Sequence, residues 1–150
     1  MSKRILVPSL IGAVAIGAVA VGGFAMASTT DSKPVLNDGS VRYTAPTDTV
    51  AGTFTFTAKV SDDSGIRGLK VIAWPASSGL DPTEAELREV DDATCRSLSD
   101  ENSRCTYRLT VTKEEAAGLD RGTWHISVLA TAKDGDTLFL PRAASVDIAR

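Results

Sequence analysis

The sequence predicts an all-β chain, an antiparallel β-sandwich of about seven strands with one or two short surface helices. Three observations lead there. Apolar and polar residues alternate with period two over several strand-length segments, and Asp/Ser/Gly turn signals separate those segments. Residues 28–150 also hold sixteen threonines and nine valines, residue types that fit a pleated, half-buried surface.

The clearest strand is Thr53–Val60, which puts Phe54, Phe56, Ala58 and Val60 on one face, and three threonines and Lys59 on the other. Leu69–Trp74 follows, apolar on both sides for part of its length and stopped by Pro75. Cys105–Thr112 turns Tyr107, Leu109 and Val111 inward. Thr123–Thr131 places Trp124, Ile126, Val128 and Ala130 on one face and His125, Ser127, Leu129 and Thr131 on the opposite one. The last strand covers Thr137–Leu140 and Ser145–Ile148, and Pro141-Arg142 between them marks an edge strand or a bulge. Val41–Thr44 is a candidate for an extra strand.

Asp81-Pro82-Thr83-Glu84 carries helix-start signals, with an N-cap residue, proline at the first helical position and glutamate at the third. A short surface helix is expected there. Thr112–Gly118 reads as one further helical turn, capped by Thr112 and closed by Gly118. Asp62-Asp63-Ser64-Gly65 and Asp134-Gly135-Asp136 are turns between strands.

The N-terminus precedes this domain. Lys3 and Arg4 lead an apolar stretch, Ile5–Phe24, that ends at Ala25-Met26-Ala27, the small-x-small pattern of signal-peptidase sites. The expected organisation is a signal peptide over 1–27, a disordered tether over 28–34 and one sandwich domain over 35–150. The competing reading of the first segment is an uncleaved anchor, since about twenty apolar residues span a bilayer. After cleavage the chain would be secreted, with no membrane attachment.

Export accounts for the two cysteines, Cys95 and Cys105. In an oxidising compartment, an even count this close in sequence reads as one disulfide. The alternative, a metal or redox pair, needs C-x-x-C spacing, and nine residues intervene here. Without the first thirty residues, 14 basic groups face 19 acidic ones, a net of −5. That balance lacks the basic field needed to neutralise phosphates, so nucleic acid is not an expected partner.

Two stretches carry a resemblance. Ala58–Ile66 followed by Val71 looks like the B-to-C region of bacterial immunoglobulin-like domains, and Leu119–Thr137 resembles their F strand and F–G hairpin. The whole chain is also similar to small exported actinobacterial proteins of uncharacterised function. The resemblance implies an immunoglobulin-like sandwich. The cysteines depart from the antibody pattern, being too close in sequence to bridge strands B and F.

In such a sandwich the B–C and F–G loops emerge at the same end. That would gather Asp62, Asp63, Asp134 and Asp136, hard oxygen ligands suited to Ca²⁺. The simpler reading is that turns need aspartate before glycine anyway. Trp74 is a candidate ligand contact, half exposed at its strand end; the alternative is a residue covering an edge of the core. His125 is the sole histidine, and alternation aims it at solvent. No G-x-S-x-G, phosphate loop or dinucleotide glycine motif occurs in the mature part. No catalytic residue or cofactor other than calcium is expected. The expected function is a secreted non-catalytic binding or structural module contacting an extracellular protein or glycan. Its rival is an exported enzyme inhibitor or a small hydrolase with a carboxylate site.

Overall fold

The computed structural model describes residues 33–149. The expected signal peptide, 1–27, and residues 28–32 of the expected tether lie outside them, while Pro34 at the tether's end is buried. Seven strands form: β1 (Val35–Thr44), β2 (Gly52–Ser61), β3 (Ile66–Pro75), β4 (Thr94–Ser97), β5 (Asn102–Val111), β6 (Gly122–Ala132) and β7 (Thr137–Ile148). Two short helices, α1 (Glu84–Leu87) and α2 (Lys113–Ala117), lie between them. One sheet has the order β1-β2-β5-β4, the other β3-β6-β7, and every named pairing is antiparallel. The predicted all-β sandwich class is the observed one.

The core sits where alternation places it. Phe54, Phe56, Ala58 and Val60 of β2 are fully buried and face Trp124, Ile126, Val128 and Ala130 of β6 within one apolar cluster. Removing a large side chain of this kind from water stabilises the fold by about 1.5–3 kcal/mol. Trp124 also donates its indole Nε1–H to the Asp120 carbonyl at 2.6 Å, so the polar end of a buried ring is satisfied. The weak strand signal near Val41 belongs to a ten-residue edge strand, β1.

Three points correct or extend the sequence reading. The polar Cys95–Cys105 segment is a β-hairpin in which β4 pairs with β5. Four residues of β4 alternate too briefly to register as a strand, and pairing with β5 supplies the order. The first helix is capped by Thr83 rather than Asp81. Thr83 Oγ1 accepts from the Glu86 N–H while the Glu86 carboxylate accepts from the Thr83 N–H, a reciprocal box that outcompetes a single aspartate cap. The third point concerns the outer face of the β3-β6-β7 sheet. This face is covered by the segment between β3 and β4, with α1 against β3 and β6 and Leu87 fully buried.

That covering segment is tied down on both sides. Thr137 Oγ1 donates to Glu84 Oε1 at 3.1 Å, and Arg142 lies 3.6 Å from Asp81. Farther along, the Val71 N–H donates to the Asp91 carbonyl and the Ala93 N–H to the Leu69 carbonyl, at 3.2 and 2.8 Å. The free edge of β3 is thereby blunted against pairing with another chain. Pro141, which cannot donate to a ladder, falls at a bulge in the β6–β7 register, as expected for the edge strand β7.

Candidate functional site: the acidic loop end

Two turns build this site. The first, Asp62–Gly65, carries the chain from β2 in one sheet to β3 in the other. Asp62 Oδ1 accepts from the Ser64 N–H at 2.9 Å and from the Ser64 hydroxyl at 2.6 Å. Gly65 has φ of +94°, and a Cβ there would lie 2.9 Å from the Asp100 carbonyl oxygen, so the position requires glycine. The second turn joins β6 to β7, and in it the Asp136 N–H donates to Asp134 Oδ1 at 3.0 Å. Short polar side chains that hydrogen-bond the backbone nearby are what make these sequences turn.

The turns are joined to each other. Asp134 N–H donates to Ser64 Oγ at 3.2 Å, Lys133 N–H donates to the Gly65 carbonyl at 3.0 Å, and Arg67 donates to the Lys133 carbonyl at 3.1 Å. Ser64 is thus the hinge pin of the site. The aspartate two positions before it is the Asx-turn signal in the sequence; the bond from Ser64 to the second turn is set by tertiary structure.

Asp62, Asp63 and Asp134 come together, each offering a carboxylate oxygen, with all three oxygens within 4.8 Å of one another. Asp136 is not part of this cluster; its backbone N–H donates to Asp134 Oδ1. Asp62 is only 5 % exposed, and its second oxygen, Oδ2, has no hydrogen-bond partner. Asp63 and Asp134 are exposed. No ion pair joins any of the three to a cation among the described residues.

Trp74 and His125 lie elsewhere, on the outer face of the β3-β6-β7 sheet. Trp74 is 1 % exposed, not the half-exposed contact residue expected, and its Nε1–H donates to Ser127 Oγ at 2.9 Å. The covering segment is the reason, and it removes Trp74 as a ligand contact. His125 does point away from the main core, but it does not face open solvent. Its ring lies 4.8 Å from that of Trp74, and its Nδ1 is buried without a partner. Burial holds its pKa below the ordinary histidine value; the Arg142 charge adds to the lowering and Asp81 opposes it.

Cys95 and Cys105 form the expected disulfide. They are directly opposed across the β4–β5 pair, with Cα atoms 4.0 Å apart. Among the described residues no helix is long and apolar enough to cross a membrane.

A family profile described as a family of unknown function, DUF5707, matches residues 36–130. The match runs from β1 through most of β6, and takes in Asp62, Asp63 and both cysteines but not Asp134. Neither a curated protein nor a solved structure matches the chain.

Proposed function

The chain belongs to DUF5707, a family of unknown function, and on that footing we propose that it is a secreted, non-catalytic immunoglobulin-like module. It acts in the extracellular space or cell wall through protein or glycan contacts.

The observation that carries this reading is the Cys95–Cys105 disulfide, since such bonds persist in oxidising compartments and are rare in reducing ones. The apolar stretch ending at Ala25-Met26-Ala27 supplies the route of export. The strand order supports the immunoglobulin-like part. Labelling β1–β7 as A–G turns the two sheets into A-B-E-D and C-F-G, the constant-domain arrangement. Two details depart from antibody domains: the disulfide staples strands D and E, and the strand-C tryptophan, Trp74, faces outward under the covering segment.

The chain's single imidazole supports the non-catalytic part. A general base must reach a substrate proton, whereas His125 has Nδ1 buried and its ring against Trp74.

Fractionation of the native producer tests the reading. The expected result is a species in the medium or wall fraction that starts at Ser28, with both cysteines resistant to alkylation until reduced. A cytoplasmic protein retaining Met1 with free thiols would overturn it. Affinity capture on the exported species, from culture supernatant and wall extract, then identifies the partner.

A further inference from the structure

We infer that the acidic loop end is a divalent-cation site, with Asp62, Asp63 and Asp134 as the protein ligands and Ca²⁺ as the ion. Two independent observations carry it. The first is distance. Ca²⁺ binds oxygen at about 2.3–2.6 Å, so two ligands of one ion stand at most about 5 Å apart. The three carboxylate oxygens satisfy that limit, lying within 4.8 Å of one another.

The second is the state of Asp62. A carboxylate buried from water is costly unless hydrogen bonds or an opposite charge compensate it. Ser64 occupies Oδ1 twice, through its N–H and its hydroxyl. Oδ2 is left without a partner on a residue 95 % buried, because Asp62 is 5 % exposed. Two more carboxylates lie beside it, and no described cation forms an ion pair with any of the three. A bound cation removes both problems at once.

The ligand chemistry selects the ion. Three carboxylates without imidazole or thiolate form a hard oxygen set, unsuited to structural zinc. Two of the three are exposed, which leaves room for the water ligands that complete a coordination number of six to eight. Ca²⁺ tolerates such an irregular shell, whereas Mg²⁺ demands near-ideal octahedral geometry. Few protein ligands and an open site imply weak binding, with Kd of about 10⁻⁴–10⁻³ M, the range of extracellular modules. Occupancy in the organism therefore rests on the secreted reading above; binding itself does not.

Bound Ca²⁺ would clamp the β2–β3 turn to the β6–β7 turn, joining the two sheets at one end. The test is calorimetric titration of the purified, disulfide-bonded chain starting at Ser28 with CaCl₂, beside thermal melts with and without 10 mM Ca²⁺. Expected are one site in the stated range, a Tm raised by Ca²⁺, and at least tenfold weaker binding in Asp63→Asn and Asp134→Asn. Asp62→Asn keeps an oxygen for the two Ser64 hydrogen bonds but loses the carboxylate, and should abolish the calcium-dependent rise. Wild-type protein showing neither heat nor a Tm shift would overturn the site, as would undiminished binding in the Asp63→Asn, Asp134→Asn double variant. An exported protein that ignores Ca²⁺ sinks this inference alone. A cytoplasmic protein that binds it sinks only the secreted reading.

Discussion

The Trp74 indole and the Ser127 hydroxyl meet at 2.9 Å on the outer face of the β3-β6-β7 sheet, and Ser127 Oγ passes the bond on to the Pro141 carbonyl at 2.6 Å. A donor chain across all three strands of a sheet, sealed beneath the covering segment, makes Trp74 a second structural anchor.

Trp74→Ala should therefore cost about 3–5 kcal/mol, as for a core tryptophan. Trp74→Phe loses the N–H and part of the ring volume, so a smaller loss of about 1–3 kcal/mol is expected. Urea unfolding at unchanged m-value measures both. A Trp74→Ala protein as stable as wild type would mean that the covering segment does not seat on this ring.

How much of this was legible in the sequence depends on which physical quantity alternation reports. Alternation gives parity, and parity was right: Trp124 and Ile126 face the main core, His125 and Ser127 do not. It cannot report what lies on the second face. It aims His125 at solvent and leaves Trp74 half exposed, because the seal over both is a non-periodic segment held by the buried Pro82 and Leu87. The cation cluster was legible in part, since turn chemistry placed Asp62, Asp63 and Asp134, and the strand topology brought their turns together. The orphaned Oδ2 of Asp62 is not legible in the sequence, because burial of a turn carboxylate arises only from the tertiary packing around it.

His125 should make stability depend on pH. Its folded pKa is lowered, chiefly by burial, from an unfolded value near 6.5. The unfolded chain then binds the proton more readily, so the stabilisation is fully present above about pH 6.5 and is lost as pH falls toward the folded pKa. Arg142 strengthens the effect and Asp81 weakens it. Between pH 7.5 and 5.5 the wild-type Tm should fall more than that of His125→Gln. Parallel profiles for the two proteins would remove His125 as the cause.

Replacing both cysteines by alanine deletes the Cys95–Cys105 staple without leaving a thiol. The closed segment is short, with a sequence separation of 10, so loop-closure entropy gives a loss of about 2.5–3 kcal/mol. Only β4 lies at the sheet edge; β5 pairs with β2 along its length and keeps Tyr107 and Val111 in the core, so the double variant should remain folded with a lower Tm, although it also gives up the buried Cys105 side chain. Far-ultraviolet circular dichroism beside a thermal melt checks this, and an unfolded double variant would show that the sandwich needs the staple to be stable.

Leu87 decides whether the covering segment behaves as a latch or as part of the global fold. It is fully buried in a four-residue helix whose other residues are exposed or partly so. Leu→Ala at such a site costs about 2–5 kcal/mol if the segment stays in place. A latch instead opens locally, and the measured loss is then capped at the free energy of that opening. The ties Glu84–Thr137 and Asp81–Arg142 are exposed or only part-buried and add little to the seal. Leu87→Ala should accordingly lower the Tm only slightly while hastening protease cleavage between Pro75 and Asp91. The Trp74 emission should shift to the red in the same variant, because its indole loses its cover. A large drop in Tm without faster cleavage would show instead that the segment unfolds only with the whole domain.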